Sequence, residues 1–546
     1  MAAKRELPDS LVLTYRLAEL PTAQHKAGLA GLLLFIRNLE ERKARGHPIG
    51  ELPEIIALGP HETTIGFTAA ALTTLFDDFY NARESSNDKG NRFVQPCGEF
   101  LAFWLAGGED SPWLKLWRDM LWGTLCSRDK QRLEFQTRSA GKSLTVMAAE
   151  VFAQLHDGIE KKAHGLFNVD AVASTCFVGA QADNAERVPF KGRVEENLLL
   201  HFWLLATPLF VPQILDLKKG SREYLGYLLV VPEVADLEWF TDEIPEYWRS
   251  LTTSVAGYRP AQSLIDLPME GGLEFLARLA YRRVGQFSYS LPLHTIELYH
   301  LNKVGNNVRL LQTEILRPDA GMLDEYQAHL RDFRVNPLFK RLTIGNLVKG
   351  RPWYSAADAL LSHYPTEFFI GKPVEATFRP FGYDARKRFM TMIDQTSVLE
   401  RHQEPTMTDN PKNPLDDALA RRVYQMIGAY VRLRTQEKCG RDITDMPKNE
   451  KGHPIYDPPY REAREKVAKD AFLALRGRRE GDIAEYFTGS LCAVPQFIRE
   501  EDFIALSRAL VENPALVKDL AMLALSAHAW LPGQKIADSS DNDHSQ

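Results

Sequence analysis

The chain holds 546 residues, too many for one small domain, and its 45% hydrophobic and 25% charged content is that of an ordinary folded globular protein. A net charge of −6 and a pI of about 6.2 exclude a protein that coats nucleic acid over its whole surface, since such a protein is basic. Five scattered cysteines, Cys97, Cys126, Cys176, Cys439 and Cys492, form no Cys-x-x-Cys pair, which excludes a zinc ribbon or finger and fits a reducing cytoplasm.

The opening MAAKRELPDSLVLTYRL lacks the apolar run of a signal peptide. No window of about 18 residues is uniformly apolar, so no membrane span is expected. Residues 11–17, LVLTYRL, alternate and predict a strand. A helix follows from Pro21, with Leu29, Leu32, Leu33, Ile36 and Leu39 at helical spacing. Gly28 and Gly31 interrupt it, each costing about 1 kcal/mol against alanine. Together with Ala27 and Ala30 they form a small-residue patch, which lets this helix approach the LVLTYRL strand or a partner closely. Alternatively, the start of the helix faces nucleic acid, with His25, Lys26 and free N–H groups holding a phosphate.

EIIALGP and ETTIGFT read as two short strands around Gly59-Pro60, and TAAALTTLFDDFYNAR returns to helix. That order argues for an α/β layer. ESSNDKGNRF, from Glu84, reads as a polar loop, and residues 143–164 as a helix. NLLLHFWLLATPLFVP, from Asn197, is the longest apolar stretch and reads as a buried core helix. STCFVGAQA and YLGYLLVVPEV read as buried strands, and LEFLARLAYRRVG as a helix. SLPLHTIELYHLNKVGNNVRLLQTEIL then reads as two strands joined by a tight turn, because VGNN supplies residues that tolerate positive φ.

Residues 394–414 carry three prolines and little periodicity, the signature of a linker. Amphipathic helices follow from Leu415, one of them opened by Asp457 as cap with proline in its first turn. The expected organisation is an N-terminal α/β domain over 1–393, a linker over 394–414, an all-α helical bundle over 415–533 and a disordered tail over 534–546. The fold class is α+β.

Catalytic signatures are absent. Gly141-Lys142-Ser143 lacks the earlier glycine of a phosphate-binding loop, since position 136 is Gln136. His156-Asp157 alone is too little for an HD-type metal site, which needs further His and Asp ligands. Asp77 and Asp78 point about 100° apart on a helix, so one solvated carboxylate and one locally paired carboxylate are expected.

Basic residues are uneven. Residues 281–390 hold 16 Lys plus Arg against 10 Asp plus Glu, a local balance of +6 that leaves −12 for the rest. Phe333, Phe339, Trp353 and Tyr354 lie among these cations. Cations neutralise phosphates and aromatic faces stack on bases, so the region is a candidate nucleic-acid surface. Lys340, Arg341, Lys349 and Arg351 are its candidate phosphate contacts. At the VGNN turn, Gly305, Asn306 and Asn307 make a narrow tip flanked by Lys303 and Arg309, able to enter a groove with amides on base edges and cations on phosphates.

LVLTYRLAELPTAQHKAGLAGLLLFI, LTTLFDDFY and LYHLNKVGNNVRLL resemble the large subunit of a type I CRISPR Cascade complex, of the I-B-like branch (Myxan subtype). The resemblance covers most of the chain. It is clearest in residues 11–80 and 290–312 and weakest in the helical end. It implies a non-catalytic cytoplasmic subunit without cofactor or metal, acting in antiviral defence or in a transposon-linked pathway. Its partners would be the backbone, guide 5′-end cap and small subunits, the crRNA, target double-stranded DNA and a helicase-nuclease, with no membrane. The guide reads sequence by pairing while the protein reads the short flanking PAM, promotes the R-loop and contacts the displaced strand. The C-terminal bundle would resemble the separate small subunit, and Met390, Met392 and Met407 lie where an internal start would produce it alone. Two rival readings differ in class: an HD-type metal-dependent nuclease using His156 and Asp157, and a pure assembly scaffold that never reads DNA.

Overall fold

The computed structural model describes residues 8–80, 82–86, 88–90, 92–96, 99–102, 111–120, 144–171, 178, 191–216, 221–251, 253–257, 259–281, 292–304, 307–371, 378–399, 414–450, 454–492 and 499–531. The chain forms two compact units, one of residues 1–214 and 224–320, the other of residues 215–223 and 321–546.

In the first unit, Leu11–Arg16 alternates as expected, with Leu11, Leu13 and Tyr15 buried and their neighbours exposed. It pairs antiparallel with Glu62–Phe67, which pairs on its other edge with Glu54–Leu58. The helix Ala23–Ala44 follows, started by Thr22, whose side chain accepts the His25 N–H. This helix is buried almost all round, as a helix enclosed in a core must be.

The two glycines explain how. A Cβ on Gly28 would lie 2.3 Å from the Leu199 carbonyl oxygen, and one on Gly31 would lie 2.0 Å from that of Phe202. The close neighbour is therefore the segment around 199–206, not the LVLTYRL strand. Phe202 stacks on Phe35 and meets Phe79 edge-on, extending the contact into the helix Ala69–Phe79. At the far end, buried Arg42 grips Asp78 through two bonds of 2.7 and 2.9 Å. Asp77 is exposed.

NLLLHFWLLATPLFVP is not one helix. It forms the helix Val194–Leu199, a tight turn Trp203–Ala206 and the strand Leu209–Asp216. Pro208 drives Thr207 out of the helical region, and extended chain follows. The strand joins a sheet whose main path runs Leu264–Ile265, Leu209–Asp216, Tyr227–Val234, Leu293–Val304 and Asn307–Leu316. Helix Ala23–Ala44 packs on one face of this sheet. Helix Pro268–Tyr281 packs on the other, where Gly271 and Gly272 meet Leu228, Leu298 and Leu316.

ESSNDKGNRF is likewise not a loop but most of a hairpin, Ala82–Ser86 with Arg92–Pro96. Its strands lack apolar alternation, so the period that marks a strand is invisible in the sequence. Helix Leu144–Ala163 lies where it is expected. Gly141-Lys142-Ser143 and most of STCFVGAQA lie outside the described residues.

From Gly321 onward the described residues form helices and a single bridge between Lys448 and Pro454. Helical structure thus begins well before residue 400. Helix Phe381–Leu399 runs through the first part of the proline-rich 394–414 stretch, whose residues 400–413 lie outside the described ones. Helix Pro514–Ala529 is the core of this unit, buried from Val517 to Ala529 and packed by helices Phe381–Leu399, Pro414–Cys439 and Pro458–Arg476. The expected Asp457 cap forms, its carboxylate accepting the Tyr460 N–H at 3.0 Å. His528 stacks on Tyr424 at 4.2 Å and bonds the Tyr424 carbonyl oxygen through Nε2 at 2.9 Å. No described helix is long and apolar enough to cross a membrane.

Two outcomes test this packing. Gly31→Ala drives a Cβ into backbone and is expected to lose about 1–3 kcal/mol. Gly345→Ala, in helix Pro337–Leu347 with nothing near the new methyl, is expected to gain about 0.5–1 kcal/mol. Urea midpoints of the two variants should move in opposite directions. The second concerns His528, whose pKa is pulled down to about 3 by burial, with the Arg464 and Arg386 guanidiniums adding to it. The unfolded chain takes up that proton near pH 6.5, so this histidine's contribution is lost as the pH falls below that value. The stability gap between wild type and His528→Gln should narrow by on the order of 2 kcal/mol between pH 7 and pH 5, read from thermal melts.

Candidate nucleic-acid interface

The strands Leu293–Val304 and Asn307–Leu316 pair antiparallel to their ends, with Val304 opposite Asn307. Only Gly305 and Asn306 connect them, the loop length of a tight hairpin. Those two residues lie outside the described ones, and Asn307 opens the returning strand.

Register fixes the direction of the flanking cations. Lys303 is opposite Val308, and Arg309 is opposite Asn302. Cross-strand partners share a face and neighbours alternate, so Lys303 and Arg309 leave opposite faces of the ribbon. Both are exposed.

The root of the ribbon is clamped. His300 is buried and its Nε2 lies 2.6 Å from the Leu225 carbonyl oxygen. Burial holds its pKa below the ordinary value. Gly226, at φ +67°, sits so close to Leu301 that a Cβ would meet the Leu301 carbonyl oxygen at 2.0 Å. Just beyond, the pairing shifts, with His300 opposite Gln312 but Leu301 opposite Leu310. Leu311 is therefore an extra residue in the outer strand, a bulge that bends the ribbon and increases its twist. Past the bulge the ribbon exposes Val304, Leu310 and Leu311 at 45–49%. Sequence reasoning missed this apolar tip. Its one signal was the adjacent pair Leu310-Leu311, which breaks strand alternation.

The other candidates divide. Arg341, Lys349 and Arg351 are exposed. Lys349 and Arg351 flank Gly350, where the helix Pro337–Leu347 is closed by bonds from the Gly350 N–H to the Leu347 oxygen and from the Arg351 N–H to the Asn346 oxygen. Asn346 also donates to the carbonyls of Trp353 and Ser355, pinning the chain that follows. Arg341 donates to the Tyr364 hydroxyl.

Lys340, in contrast, is 2% exposed, because Pro337, Leu338, Phe339 and Lys340 open the helix on its buried side. It presents no ammonium to the surface. The aromatic residues are corrected likewise. Phe339, Trp353 and Tyr354 are core, packed with one another and with Phe381 and Phe389, and only Phe333 is exposed. Arg379 and Arg388 are spent on carboxylates, Arg379 on Asp332 and Asp384, Arg388 on Glu325 at 2.6 Å.

Lys26 is also committed. Its Nζ lies 2.7 Å from Glu233, which accepts the Thr295 hydroxyl as well. His25 is buried, bonded through Nδ1 to the Thr22 hydroxyl, and burial lowers its pKa to about 4. The helix start is thus capped and neutralised from within, and the glycines answer to packing.

His156, Asp157 and Glu160 bring three ligand atoms within 4.8 Å of one another, the one such trio among the described residues. All three lie on one helix, with Asp157 and Glu160 exposed, as on a solvated helix face.

Two protein-family models match the chain. The model of the type I-B CRISPR Cas8b N-terminal domain matches residues 91–288, and that of the Cas8b C-terminal domain matches residues 293–528. The chain belongs to the Cas8b family, the large subunits of type I-B CRISPR systems. The C-terminal match opens on the first residue of the ribbon and takes in the helical end, where the sequence resemblance was weakest. No curated protein matches the chain.

Gly226→Ala tests the clamp. It is expected to free the ribbon root and to speed amide hydrogen exchange at Leu301 and Asn302 about 10–100-fold, the equivalent of roughly 1–3 kcal/mol.

Proposed function

We propose that this chain is the non-catalytic subunit that reads the PAM in target duplex DNA within a guide-RNA-bound Cascade complex. It promotes R-loop formation, contacts the displaced strand and offers a surface to the helicase-nuclease. The carrying observation is the ribbon: a two-residue tip on a clamped root, with Lys303 and Arg309 on opposite faces. Such a blade can lie in a groove with one cation toward each phosphate wall, while Gly305, Asn306 and Asn307 meet base edges. Arg341, Lys349 and Arg351 supply phosphate contacts in this reading, and buried Lys340 and ion-paired Lys26 do not.

The test uses the assembled complex with guide RNA and duplexes carrying the correct or a scrambled flanking motif. Replacing Asn306 and Asn307 by Ala should reduce discrimination by about 1–3 kcal/mol per lost base contact. Replacing Lys349 and Arg351 by Ala should weaken both duplexes equally and flatten the salt dependence by about 0.9 per lost phosphate contact. Wild-type protein that binds both duplexes alike would leave a scaffold that does not read DNA.

A further inference from the structure

A cleft of about 280 Å³ opens in the first unit between helix Ala23–Ala44 and helix Leu237–Ser250. Arg37, Asn38 and Glu41 line it from one side, Asp242, Glu246 and Arg249 from the other. Leu34 and Pro245 supply its apolar walls.

Asn38 is the odd residue. It is 2% exposed, and neither its amide nitrogen nor its amide oxygen has a hydrogen-bond partner. A buried polar group left unsatisfied destabilises the fold, and asparagine is also a poor helix former. Leucine here would suit the helix better, so the amide is unexplained by packing.

The acceptors around it outnumber the donors. Pro245, inside its helix, has no N–H for the Thr241 carbonyl, and Thr241 lines the same cleft. Both arginines are already held by carboxylates, Arg37 by Asp242 at 2.8 Å and Arg249 by Glu246. Among the described residues Glu41 meets only Arg45, at 4.0 Å on the surface. Three carboxylates against two guanidiniums leave the lining acidic, which repels phosphate. The volume falls below the range of about 300–1,000 Å³ usual for small-molecule sites and suits one long side chain.

From these observations we infer that the cleft is a docking socket for an arginine side chain of a companion polypeptide. The guanidinium, with five donors and no acceptor, bonds the Asn38 oxygen, the Thr241 carbonyl and the Glu41 carboxylate. The Asn38 amide nitrogen donates to a main-chain carbonyl of the entering segment. The occupant is protein and not nucleic acid, so this socket stands apart from the DNA-reading ribbon.

The probe is Nα-acetyl-L-arginine N-methylamide, titrated into the full chain and followed by saturation-transfer NMR, with the lysine analogue and adenosine monophosphate as comparisons. Saturable binding of the arginine probe is expected, weakened at least about 10-fold in Glu41→Gln and in Asn38→Leu, the equivalent of about 1.4 kcal/mol. Asn38→Leu should also melt higher than wild type, because the buried amide is gone. Glu41 is exposed, so Glu41→Gln folds normally and decides the matter if Asn38→Leu does not fold. Equal binding to wild type and Glu41→Gln, no saturable binding, or tighter binding of adenosine monophosphate would overturn the socket.

Discussion

The first unit rests on a contact between two backbones. Helix Ala23–Ala44 lies directly on the carbonyls of Leu199 and Phe202, at a separation that leaves no room for a side chain at positions 28 and 31. Two glycines weaken the helix by about 1 kcal/mol each. The approach lets Leu29, Leu32, Leu33, Phe35 and Ile36 go fully inside, each contributing about 1.5–3 kcal/mol. Burial wins by a wide margin. The Lys26–Glu233 pair near one end and the Arg42–Asp78 pair near the other hold this helix in place. The sheet it covers carries the ribbon, so the exactness of one helix contact is passed on to the tip.

Charge in the basic stretch is divided between structure and surface. Arg379, Arg388 and Lys340 lie inside or in ion pairs, while Arg309, Arg341, Lys349 and Arg351 face outward. Arg379 and Arg388 pair with Asp332, Asp384 and Glu325 of the same stretch, so the pairing leaves its local balance of +6 in place. Arg309 stands beside a hairpin tip and Lys349 and Arg351 at a helix end closed by Gly350, while Arg341 lies within that helix. Turns hold their flanking side chains in fixed directions, which suits positioning more than bulk attraction.

The sequence made periodic elements legible and hid those whose pattern was broken. Leu11–Arg16 alternates cleanly, and Asp457-Pro458 announces a helix start by capping chemistry alone. The hairpin Ala82–Ser86 with Arg92–Pro96 lacks an apolar alternation in sequence and reads as loop. Residues 197–212 are apolar throughout, and periodicity cannot separate helix from strand in such a run; only Pro208 carried the break. For the ribbon, VGNN gave away the turn, but the clamp by Leu225 and Gly226 is a contact across about 75 residues and has no local trace. Lys340 shows the reverse difficulty. A lysine count treats it as surface, yet helix phase puts it inside. Asn38 was invisible for the same reason: which helix would face it is a tertiary fact.

The bulge at Leu311 has a consequence for life outside an assembly. Among the described residues Asn307–Leu316 is the last strand of its sheet, and Leu310, Leu311 and Ile315 are exposed along it. A straight strand of that kind is a template on which other copies would stack edge to edge. One surplus leucine kinks the hydrogen-bonding row and puts it out of step with any flat partner. The distortion that bends the ribbon therefore also works against edge-to-edge self-association of the chain.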